Sequence, residues 1–235
     1  MKSLVPLCLS LALAVGFAGT ADAQKKKPKT GPMAPIEDVE GLPRVLLLGD
    51  SISIGYTLPV RAKLAGKANV HRAPTNCGPT TRGLEQIDAW IGDKKWDVIH
   101  FNWGLHDLKY MGPKGENLAD PKAKESRQQV PPEEYEKNLR ALVERLKKTE
   151  AKLIWRNTTP VPPGARGRVV GHSAAYNEIA AKIMEEHDIP TNDLFGLTAK
   201  LPEGSQKKAD VHYTPEGSSL LADSVVESIL AALKE

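Results

Sequence analysis

Short aliphatic runs alternate along this chain with stretches of helical periodicity, and that alternation constrains the fold more than any other feature. Residues 44–49 (RVLLLG) are apolar from Val45 to Leu48, so as a strand they must be buried on both faces. Further strands are expected at 69–72, 96–102 (WDVIHFN), 152–156 (KLIWR) and, briefly, 189–191. Between them, helices are expected at 57–64, 80–91, 132–148, 173–187 and 215–234. The third carries Leu139, Leu142, Val143 and Leu146 at helical spacing, and the last opens on Pro, Glu and Gly. Such an order predicts an α/β fold: a three-layer α/β/α sandwich around a mostly parallel sheet of about five strands. In that architecture functional residues lie in loops at the carboxyl ends of the strands.

The first 42 residues stand outside the alternation. Lys2, an apolar run over 4–17 and Ala21-Asp22-Ala23 have the form of an export signal, residues 1–23, cleaved before Gln24. The run is too short for a membrane span, and Cys8 within it lacks the small residues that precede a lipoprotein cysteine. Residues 24–42 mix a basic run with Pro and Gly and are expected to form a solvated tail, with anchorage to an anionic surface as the functional alternative. Residues 43–235 then make one domain. It is expected to be exported, periplasmic or extracellular, without a transmembrane segment in the mature chain. Of two cysteines only Cys77 outlasts signal removal, so no intramolecular disulfide is expected. A net charge of +3, with basic and acidic residues interspersed, leaves no nucleic-acid footprint.

The chemistry-bearing residues cluster at the strand ends. Gly49-Asp50-Ser51 follows the first strand. A serine between a buried strand and a helix either caps the helix or is presented for attack, with its own amide free to hold an oxyanion. The pentapeptide GDSIS alone does not choose. The second strand leads to Asn76-Cys77-Gly78-Pro79, the third to Gly104-Leu105-His106-Asp107, and Asp210-Val211-His212 precedes the last helix.

Taken together over residues 44–235, these four blocks resemble the SGNH (GDSL-like) hydrolase superfamily. That family has a GDS nucleophile, a lone Gly after the second strand, a GxND segment after the third and a late Asp/His pair. The resemblance implies its flavodoxin-like fold and esterase activity without cofactor or metal. It makes Ser51 the nucleophile, His212 the general base and Asp210 the acid that orients it. The N–H groups of Ser51 and Gly78, with the side chain of His106, become the oxyanion hole. A hydroxyl needs such a base, and the base needs a fixed tautomer.

Two positions depart from the pattern. Only Val211 separates Asp210 from His212 where the family has two residues, although side chains two apart on extended backbone share a side. The alternative for Asp210 is a surface carboxylate in a Lys-rich loop. His106 replaces the usual Asn, and a ring in that place donates only if Nδ1 carries the proton. Asp50 and Asp107 are read as supporting residues that hold loops through backbone N–H groups. Cys77 is read as a packing residue, and His71, His100, His172 and His187 lack partners at metal-ligand spacing.

Two long loops flank the expected site. Residues 109–131 are long for a simple connection, and 158–171 (TTPVPPGARGRVVG) carry Arg166 and Arg168, candidates to grip a uronate or sulfate. The TTPVP run with Tyr176-Asn177 is similar to exported family members that deacetylate polysaccharides. The expected substrate is therefore a small acyl ester, an acetylated glycan above all. A lipid-directed esterase or thioesterase, or a weakened glycan-binding protein on the same scaffold, is the alternative.

Overall fold

A computed structural model describes residues 31–234; the expected export signal and residues 24–30 lie outside the described residues. Strand β1 (Arg44–Leu48) runs into helix α1 (Ser51–Lys63), followed by β2 (Asn69–Arg72), α2 (Thr80–Ile91) and β3 (Val98–Phe101). A two-stranded antiparallel ribbon, β4 (Tyr110–Met111) and β5 (Arg127–Gln128), interrupts the long loop before α3 (Pro132–Lys147). Then come β6 (Lys152–Arg156), α4 (His172–Glu186), β7 (Thr191–Asn192), α5 (Leu194–Thr198) and α6 (Pro215–Lys234).

The main sheet is parallel with strand order β2-β1-β3-β6-β7. This is the flavodoxin-like arrangement, and its order reverses between β1 and β3. Helices α1 and α6 pack together on one side, with α2, α3 and α4 in contact on the other. Leu46, Leu47 and Leu48 are buried as expected for a central strand covered twice, and Phe101, Trp103 and Trp155 form an aromatic cluster beside them. Each such side chain contributes on the order of 2 kcal/mol by leaving water. Gly83 lets α2 come close, since a Cβ there would stand 3.0 Å from the Trp103 ring and 3.1 Å from Leu142.

Three expectations needed correction. Helix α1 begins at Ser51, not at 57, and runs through Pro59. Its opening SISIGYT is β-branched and contains Gly, so intrinsic preference is weak there; burial of Ile52, Tyr56 and Val60 decides. The ribbon β4–β5 and helix α5 are too short to show a periodicity in sequence, and the last strand lies at Thr191–Asn192. Residues 31–42, expected as solvated, are tied to the sheet edge. Asn69 accepts from the Val39 N–H at 2.8 Å and donates to the Val39 carbonyl at 3.0 Å, while Asp38 pairs with Arg44 at 3.0 Å and with His71. Composition registers the segment's charge and prolines, but not the partners waiting on the β2 edge.

Candidate active site

The end of β1 and the start of α1 position Ser51. Asp50, only 2% exposed, caps α1 by accepting from the Ile52 N–H at 3.0 Å. The same oxygen accepts from the guanidinium of Arg156, which is fully buried, at 3.2 Å. Burial alone would raise the Asp50 carboxyl, but Arg156 and the helix N–H bring it below its ordinary value. The turn is closed by Cys77, whose N–H donates to the Gly49 carbonyl at 3.1 Å and whose Sγ accepts from the Gly49 N–H at 3.2 Å. Burial pushes that thiol up to about 11, so Cys77 is the inert packing residue expected of it. As the first residue of a helix, Ser51 presents an N–H that no acceptor takes among the described residues.

Facing it, the loop before α6 brings Asp210 and His212 together. Ser51 Oγ lies 2.8 Å from His212 Nε2, and His212 Nδ1 lies 2.6 Å from Asp210 Oδ1. That carboxylate oxygen also accepts the backbone N–H of His212 at 3.0 Å. The short Asp-Val-His spacing works because a local turn, not an extended strand, presents the pair: Ala209 has φ +54° and the Lys207 N–H donates to the His212 carbonyl at 2.9 Å. Burial raises Asp210 somewhat, yet the two N–H groups of His212 outweigh it and hold the carboxyl below its usual value. An ionised Asp210 fixes the proton on Nδ1 and leaves Nε2 free to accept from the serine.

The third strand supplies the next part. A Cβ on Gly104 would stand 2.1 Å from Thr158 Oγ1, so only glycine fits where this loop crosses the one after β6. Asn177 clamps that second loop, accepting from the Thr158 N–H at 2.7 Å and donating to its carbonyl at 2.8 Å. Two motifs distant in sequence thus form one wall. His106 sits half-buried on it; burial first, then the charges of Lys109, Arg168 and His212, push its imidazole down to about 4 against the pull of Asp50. The ring is therefore neutral at physiological pH, and no hydrogen-bond partner for it exists among the described residues. Asp107 behaves as expected of a supporting residue, accepting from the N–H and hydroxyl of Thr80 at 2.7 and 2.6 Å, and burial lifts it to about 7.

Two site expectations change. Gly78 has φ +63°, but its N–H already donates to Asn76 Oδ1 at 2.9 Å. It becomes an oxyanion donor only if the Asn76 side chain shares it or swings away. Arg166 and Arg168 do not form one grip. Arg166 is exposed, whereas Arg168 folds inward, donates through Nε to the Leu105 carbonyl at 3.1 Å, and feels the charges of Asp50 and Asp210. Which way each side chain turns depends on the path of the loop, and only Arg168 is turned to face protein.

With this geometry in hand, the sequence matches the GDSL-like Lipase/Acylhydrolase family over residues 47–220. The chain belongs to that family. Its fold is shared with the lipase/acylhydrolase from Enterococcus faecalis, at TM-score 0.65 and 18% identity, covering 80% of this chain and 95% of that one. The acetyl xylan esterase AlAXEase aligns at TM-score 0.62 and 16% identity over 79% and 99% of the two chains. TesA aligns at TM-score 0.59 and 16% identity over 80% and 99%. No curated protein matches. This GDSL-like acylhydrolase is thus an SGNH-type hydrolase acting on ester bonds. Sequence reasoning missed Arg156, which read only as the end of a strand; an Arg directly after the apolar run Leu153-Ile154-Trp155, at the carboxyl end of a strand, is the signal that could have found it.

Proposed function

We propose that this acylhydrolase is an exported serine esterase that removes small acyl groups, acetyl above all, from a polysaccharide. The observation that carries the proposal is the unbroken chain Ser51 Oγ–His212 Nε2–Asp210 Oδ1, at 2.8 and 2.6 Å. In this reading His212 takes the proton as Ser51 attacks the ester carbonyl, and Asp210 stabilises the imidazolium that forms. The Ser51 N–H and a neutral His106 face the developing oxyanion, joined by Gly78 once Asn76 releases it. His212 then returns its proton to the sugar oxygen as its bond to the acyl carbon breaks, releasing the sugar hydroxyl, and water repeats the sequence on the acyl-enzyme. Acetyl fits better than a long chain because the cleft beside the site is lined mostly by polar residues. The fold of an acetyl xylan esterase is compatible with that choice. Export is inferred from the N-terminal signal pattern.

Hydrolysis of p-nitrophenyl acetate by the chain lacking residues 1–23 tests the reaction, with Ser51→Ala as control. Turnover should fall by a factor on the order of 10⁶ in that variant. Octanoyl esters hydrolysed faster than acetyl esters would replace the glycan reading with a lipid-directed one.

A further inference from the structure

We propose that the substrate of this site carries an oxyanion, the carboxylate or sulfate of an acidic sugar, and that Lys109 is the counter-ion that receives it. The inference rests on the esterase reading above and names the substrate class within it. A cleft of about 760 Å³ opens beside Gly78 and His106, follows the first turns of α2 to Arg82, and has Lys109 and Gln129 in its wall. Lys109 is only 8% exposed, and it pairs with no carboxylate within 4.0 Å among the described residues. Asp107, the carboxylate whose charge reaches it, has already committed one oxygen to the N–H and hydroxyl of Thr80.

The stem of Lys109 is buried while its ammonium stays open to the cleft, and partial burial holds that ammonium below its ordinary value, a cost that an anion arriving from the cleft would offset. Here the uncompensated charge faces a cleft, where a ligand can supply what the fold does not. The backbone of Lys109 is held in place at the base of the β4–β5 ribbon, where the Gln129 N–H donates to the Lys109 carbonyl at 2.8 Å. The surrounding charge points the same way. Arg82, in the lining of the cleft and bonded to Thr75 Oγ1 at 3.2 Å, adds a second cation, and the charge of half-buried Arg168 also reaches Lys109. Glu85, on the exposed rim, is the single carboxylate lining the cleft among the described residues. His106, whose neighbour in the active site is His212, lines the same cleft as Lys109 and Gly78. An anion on Lys109 would therefore place the acyl-bearing sugar next to the reacting atoms.

The test compares acetate release from three acetylated polymers: polygalacturonate, dextran sulfate and neutral xylan. The wild-type protein should prefer at least one anionic polymer over xylan by about 10-fold or more in kcat/KM, the worth of one charge-assisted hydrogen bond. That preference should shrink as salt rises. Whichever anionic polymer is faster assigns carboxylate or sulfate. Lys109→Met should bring the ratio towards one while Lys109→Arg keeps most of it. Equal wild-type rates on all three, or a Lys109→Met protein that keeps the preference, would overturn the inference and leave the esterase reading intact if p-nitrophenyl acetate is still cleaved. Failure on every ester, p-nitrophenyl acetate included, would remove both. Should Lys109→Met not fold, the wild-type ratio and its salt dependence decide alone.

Discussion

Ser51 and His212 reach one another from opposite kinds of structure. On the serine side, the turn after β1 is backed by a buried ion pair, Asp50 at 2% and Arg156 at 0% side-chain exposure, and by reciprocal bonds between Gly49 and Cys77. On the histidine side, Asp210 and His212 are each 44% exposed and are held by a tight turn closed through Lys207. Core packing fixes the first; a few local hydrogen bonds fix the second. Damage to the histidine side should therefore appear in catalysis with little loss of stability, while damage beneath the serine should appear in stability first.

The sharpest test of the exposed side is Asp210→Asn. The amide favours the wrong imidazole tautomer, so kcat should fall by a factor on the order of 10³–10⁴ with the thermal midpoint nearly unchanged. Activity within a few-fold of wild type would take Asp210 out of the triad. Beneath the serine, Arg156→Met leaves Asp50 as a buried charge without a partner. Urea unfolding should show a loss of about 3–5 kcal/mol, and a loss under about 1 kcal/mol would mean the core does not depend on the pair.

His106 stands where the two sides meet. His106→Ala should lower kcat on the order of 10²–10³-fold and His106→Asn should retain substantial activity, as measured with p-nitrophenyl acetate. An unaffected His106→Ala protein would leave the oxyanion to backbone donors. Deeper in the sheet, burial pushes His100 down to about 4 while its Nε2 faces Asn192 Oδ1 at 3.1 Å. The unfolded chain binds that proton below about 6.5 and the folded one only near 4, so its contribution to stability is lost as pH falls through this window. His106, also at about 4, acts with the same sign; Asp107, lifted to about 7, acts with the opposite one, its contribution fading as pH rises from 3.8 towards 7. His100→Asn should therefore reduce the pH dependence of unfolding free energy between about 4 and 6.5 by about one proton. An unchanged slope would show that His100 titrates normally. The smallest effect is expected at Ala209, whose φ of +54° suits glycine: Ala209→Gly should stabilise the exposed loop by up to about 1 kcal/mol. A loss of stability there would mean the turn is held by the Ala209 methyl against its neighbours.

The alternation of apolar runs and helical periods was enough to read the parallel sandwich, because strand burial and helix amphipathicity are local patterns. The four chemical blocks were likewise legible, three of them at the ends of expected strands and the fourth just before the last helix. The remainder depended on chain path. Ser51 and His212 lie 161 residues apart, and nothing in either segment specifies a separation of 2.8 Å. Gly104 was legible as the first residue of its block, but not that Thr158 would occupy the space of its Cβ. Asn76 and Gly78, two residues apart, form a bond that takes up an amide expected to be free. Arg166 and Arg168 were alike in sequence, and only the fold turned one outward and the other towards the site. By itself the sequence determined the architecture and the inventory of reactive groups, since both follow from local periodicity and residue chemistry. Which groups touch, which amides are already engaged and which charges stay unpaired were decided by tertiary structure alone, because those depend on desolvation and on contacts between segments that the chain brings together only when it closes its sheet.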